Sequence, residues 1–115
     1  MLYTKNINIT DTNTATILEI PQGFVGHWNM LFISNLGGST NDVTVFVDKD
    51  PDPDLYIFDG KNVSSKDYIL FSQATVVLQP GDIIKASTGS AGNMEVVVTI
   101  DLVYALTAFT NFNGI

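Results

Sequence analysis

Four aspartates alternate with lysine and proline in Asp48-Lys49-Asp50-Pro51-Asp52-Pro53-Asp54, and Asp59 follows a few residues on. Hard oxygen donors at such short spacing suit calcium or another hard cation, which makes Asp48, Asp50, Asp52 and Asp54 the candidate metal ligands. An EF-hand loop also begins with alternate acidic residues, but it needs glycine at its sixth position, where this chain has Pro53. The competing reading is a stiff, solvated loop whose self-repelling charges keep strand edges apart, and it carries the greater weight. No cofactor is therefore expected, with calcium as the alternative.

The remaining chemistry-bearing residues are sparse. The chain has no cysteine and no arginine, and its single histidine, His27, has no second histidine or cysteine to work with. Standing alone beside Trp28, His27 reads as a strand-edge residue, because function needs a convergent constellation. Ser64, Ser65 and Ser72 lack a base and acid at fitting positions, so nucleophilic catalysis is not expected. Gly37, Gly38, Gly89 and Gly92 fall between strand-like runs, whereas a phosphate cradle sits between a strand and a helix. Asn8-Ile9-Thr10 and Asn62-Val63-Ser64 match the glycosylation acceptor, a pattern short enough to arise by chance. The chain does not read as an enzyme.

Composition narrows the partners. With 115 residues, 45% hydrophobic and 15% charged, the chain suits one compact domain with a single two-layer core. A net charge of −7 with only Lys5, Lys49, Lys61, Lys66 and Lys85 argues against nucleic acid and anionic membrane, both of which attract clustered cations. No signal peptide is expected at the N-terminus, and no apolar run is long enough to span a bilayer.

Turn signals recur every about eight to twelve residues, the rhythm of a sandwich or barrel. Leu2–Ile9 and Thr14–Ile20 read as strands, the second stopped by Pro21. His27–Asn35 is apolar on both faces, which predicts a central strand buried on both sides or lying under a covering loop. Leu36–Asn41 (LGGSTN) reads as the turn of a hairpin into Asp42–Asp48, with Val43, Val45 and Val47 on one face. Leu55–Phe58 reads as a short strand closed by Asp59-Gly60, and Ile69–Phe71 and Thr75–Leu78 as two more. Gln79–Asp82 is a tight turn, and Ile83–Thr88 and Met94–Tyr104 read as a last hairpin across Gly89–Asn93. In that final strand Val96, Val98, Ile100 and Leu102 face the core in strict alternation. The fold expected is all-β: an antiparallel β-sandwich, jelly-roll or immunoglobulin-like, over residues 1–103.

Residues 104–115 (YALTAFTNFNGI) carry no charged side chain. They form either a C-terminal arm or an extra edge strand. As an arm, Tyr104, Leu106, Phe109, Phe112 and Ile115 are the candidate partner-binding residues, anchoring on a neighbouring subunit.

The segments Tyr3–Asn8, Ala15–Gly23, Leu31–Val47, Tyr56–Leu70 and Val76–Ile100 resemble small tailed-bacteriophage virion structural proteins. Their shared grammar is a strand, proline-glycine, a strand, a small-residue turn and a valine-rich strand. A leucine-x-x-glycine-aspartate turn follows, here Leu78-Gln79-Pro80-Gly81-Asp82, and then the last strand. The aspartate loop and the tail beyond Leu102 depart from that pattern. The resemblance implies a non-enzymatic virion component, a capsid decoration (cement) protein or a neck or tail part. It would be a homo-oligomer, partnered by the major capsid protein or other virion proteins. The alternative is a carbohydrate- or receptor-binding sandwich that presents Trp28 and Tyr56, with calcium in the aspartate loop.

Overall fold

The computed structural model describes residues 1–72 and 76–105. These residues form nine strands: β1 (Leu2–Ile9), β2 (Ala15–Glu19), β3 (Phe24–Asn35), β4 (Asn41–Asp48), β5 (Leu55–Val63), β6 (Tyr68–Phe71), β7 (Val76–Leu78), β8 (Ile83–Thr88) and β9 (Met94–Tyr104). The five-stranded sheet runs β1-β9-β3-β6, with β7 also on β3, and the four-stranded sheet runs β2-β8-β4-β5. Every pairing is antiparallel.

The connectivity follows from one long ribbon. β4 and β5 pair at its tip, β3 pairs with β6 and β7, β2 with β8, and β1 with β9. Rolling that ribbon brings β9 against β3 and β8 against β4, and closes the two sheets face to face. This is a jelly roll, so the all-β sandwich expectation holds and the immunoglobulin-like alternative falls away.

Alternation sets the core. In β9, Met94, Val96, Val98 and Ile100 are fully buried, as are Val43, Val45 and Val47 in β4 and Leu31 and Ile33 in β3. Each points inward from its own sheet and meets the other sheet's inner row. Apolar surface removed from water at about 25 cal/mol per Å² is what holds the layers together.

Four sequence expectations need correction. Leu36–Asn41 and Gly89–Asn93 are not hairpin turns: each carries the chain from one sheet to the other, since β3 and β9 lie in one and β4 and β8 in the other. Asp59-Gly60 does not end a strand. Gly60 adopts φ 69°, open to glycine without steric cost, and the ladder slips there while β5 continues to Val63. β3 starts at Phe24 and is buried on one face, with a bulge between Trp28 and Met30. At the end of β9, Tyr104 is the last strand residue and the Ala105 N–H donates to the Gly23 carbonyl at 3.0 Å.

Candidate functional site

One pole of the sandwich collects the features singled out from the sequence. The 20–24 and 79–82 loops meet there, with Ile20 N–H donating to Asp82 O at 2.9 Å and Gly81 N–H to Ile20 O at 2.9 Å. Gln79-Pro80-Gly81-Asp82 is a turn with proline at its second position and glycine at φ 88° in its third. Its last residue, Asp82, is buried, receives the Gln79 N–H at 2.8 Å and is ion-paired with Lys49. Lys49 opens the aspartate loop, so this pair fastens the loop to the pole. The exit of β9 at Tyr104 lies at the same pole.

The structure does not bring the four candidate ligands together. Asp48 sits at the end of β4, where Lys85 of β8 donates to its Oδ2 at 2.9 Å and the Asp50 N–H to its Oδ1 at 3.3 Å. The lysine first, and then the backbone N–H, hold the Asp48 carboxyl below its usual value of 3.8. Asp50, Asp52 and Asp54 are exposed on the loop beyond it. Among the described residues no group of three or more His, Cys, Asp or Glu side chains is placed to hold a metal ion.

Of the partner-binding candidates, Tyr104 is described. It stacks on Phe24 with ring centroids 4.8 Å apart and is 79% exposed. Leu106, Phe109, Phe112 and Ile115 lie outside the described residues. Trp28 is not available as a binding platform: it is buried in the core, and its indole N–H donates to the Met30 carbonyl at 2.9 Å. His27 is not at a sheet edge. It faces outward from the middle of the five-stranded sheet, between Asp101 of β9 and Val77 of β7. Tyr56 is half exposed and stacked on Phe46 at 5.3 Å, on the outer side of the four-stranded sheet. Ser65 donates to the Gly37 carbonyl at 2.7 Å, a bond that ties two loops together.

Sequence reasoning missed one surface. Outward from the five-stranded sheet, Val97, Phe32 and Leu70 line up across β9, β3 and β6, and Tyr68 stacks on Phe32 at 5.6 Å. The signal was present in the two-faced apolarity of His27–Asn35. Such a pattern predicts burial on both sides or a covering loop, whereas one of the two faces looks outward.

The order of strands in the two sheets defines a jelly-roll protein. No family model matches the chain, and no curated protein matches it. Among solved structures, it is similar to a chain of the acidic stable capsid structure of Helicobacter pylori bacteriophage KHP30. The two share 12% identity with a TM-score of 0.61, over 90% of this chain and 92% of that one. A likeness at this identity is one of fold, and it runs through both sheets.

Proposed function

We propose that the chain is a non-enzymatic structural protein of a bacteriophage virion, and more narrowly a capsid decoration protein that reinforces the shell through repeated subunit contacts. The observation that carries the reading is the match of nearly the whole jelly roll to a chain from a phage capsid structure. Its partners are the major capsid protein or other virion proteins, and its location is the virion. Many modest contacts repeated by symmetry stabilise a shell without any one of them being strong. At the pole, Asp50, Asp52 and Asp54 offer negative charge to a basic surface and Tyr104 offers an apolar anchor, with Leu106, Phe109, Phe112 and Ile115, outside the described residues, as the further anchors.

Quantitative mass spectrometry of purified virions tests the reading. A decoration protein is present in many copies, in fixed ratio to the shell protein, and leaves the particle surface density when its gene is deleted. A handful of copies per particle would move it to the neck or tail. Its absence from virions would overturn the structural reading.

A further inference from the structure

The outer face of the four-stranded sheet mixes polar pairs, Thr44 opposite Ser87 and the Lys85–Asp48 ion pair, with one stacked aromatic pair, Tyr56 on Phe46, toward β5. That of the five-stranded sheet carries the Val97–Phe32–Leu70 row, with Met30 beside it and Tyr68 stacked on Phe32. Leu70 is 54% and Tyr68 61% exposed. A contiguous apolar patch on one face marks a contact surface, since scattered apolar residues alone would not line up across three strands.

The chain itself holds a fitting occupant. Ten residues, 106–115, follow the last described residue, and Leu106, Phe109, Phe112 and Ile115 are set among small and polar residues. Extended, ten residues reach about 33 Å, while the row crosses three neighbouring strands about 4.8 Å apart, so the segment is long enough to cross it. Its direction of departure chooses between its own body and another. Lying on its own sheet would require the chain to reverse immediately after β9. Ala105-Leu106-Thr107-Ala108 contains none of the glycine, proline, asparagine or aspartate that tight reversals use. The segment's asparagines and glycine come only at Asn111, Asn113 and Gly114.

We propose that residues 106–115 of one copy dock on the outer face of the five-stranded sheet of a second copy, over Phe32, Leu70 and Val97. The inference rests on the reading of the tail as an anchor and names the surface it anchors on. Such an exchange is self-complementary in a two-fold pair, and passed head to tail it gives a ring where the rotation between copies closes.

The purified full-length chain is examined by size-exclusion chromatography with light scattering, with no particle present. The native chain is expected above monomer mass. An arm variant, Phe109→Asp with Phe112→Asp, and a face variant, Leu70→Lys, are each expected at monomer mass with unchanged far-ultraviolet circular dichroism. Leu70 is exposed, so its lysine variant keeps the core intact. Mixing the two variants is expected to restore a complex, because one supplies an intact arm and the other an intact face. A monomeric native chain, an arm variant of native mass, or a mixture that stays monomeric overturns the proposal. Because virions are left out, failure here leaves the virion reading standing, and absence from virions leaves arm exchange standing.

Discussion

Asn35 offers the sharpest test of how this chain becomes a jelly roll. It ends β3 at the point where the chain leaves one sheet for the other, and it is 1% exposed. Its Nδ2 donates to the Ser39 carbonyl at 2.9 Å and to the Val63 carbonyl at 2.9 Å, and its Oδ1 accepts the Gly37 N–H at 2.9 Å. One side chain thus shapes the crossover loop and ties it to the end of β5. Asn35→Ala removes all three bonds. The two in the loop can be partly replaced by water, at about 0.5–1.5 kcal/mol each, while the buried Val63 carbonyl left unpaired costs about 1–3 kcal/mol. The sum is roughly 2–6 kcal/mol, or a fall in Tm on the order of 10 °C or more for a domain of this size. Asn35→Asp sharpens the test. It keeps the acceptor for Gly37 but turns a carboxylate toward two carbonyl oxygens in a buried site, which raises its folded pKa. For an acid raised in this way the penalty is absent below the unfolded value of about 3.9 and sets in as pH rises, reaching its full size above the folded pKa. The aspartate variant should therefore melt below the alanine variant at neutral pH and gain on it as the solution is acidified. Thermal melts of both across this range decide the matter. An alanine variant within about 2 °C of the parent, or a pair whose difference ignores pH, would refute the clasp.

Further outcomes follow from single positions. Asp48→Asn removes a carboxyl whose folded pKa is lowered by Lys85, so the parent's advantage holds above the ordinary value of 3.8 and disappears as pH falls through the folded one. Melts in low salt from neutral to strongly acid pH should therefore converge at the acid end. Gly26→Ala would place a Cβ 2.7 Å from Ile100 Cδ1 and 2.9 Å from Ile20 Cδ1, both in the closed core. Overpacking of this kind costs about 1–3 kcal/mol, read as a lower urea midpoint with unchanged slope. Ile84→Ala, at a fully buried site, should cost about 2–5 kcal/mol in the same assay. Added calcium should leave Tm unchanged, because Asp48 is already paired with Lys85; a rise would restore the cation reading of the loop.

What could be read in the sequence was whatever a period of two encodes. Val96, Val98, Ile100 and Leu102 announce which side of β9 is wet and which is dry, and the structure agrees. Alternation says nothing about which sheet a strand joins. Leu36–Asn41 and Gly89–Asn93 have the length and composition of hairpin loops, and only contacts distant in sequence reveal them as crossovers. Asn35 bonds to Val63, 28 residues away, and Asn41 donates to the Ser90 carbonyl at 2.8 Å, 49 residues away. The buried asparagines at the two ends of the first loop, Asn35 and Asn41, were the one local hint, since a polar side chain taken into the interior must find its partners there. The candidate site divides along the same line. Aspartates at alternate positions advertise charge, but Lys85 and Lys49, the partners that neutralise two of the acidic groups at this pole, come from the fold. Apolarity on both faces of His27–Asn35 advertises two contacts, and the molecule supplies only one of them from its own interior. The other, at Phe32 and Leu70, is left for something outside the described sandwich. A single chain's pattern specifies that a second surface exists, and the composition of the segment after Ala105 is the nearest complement to it.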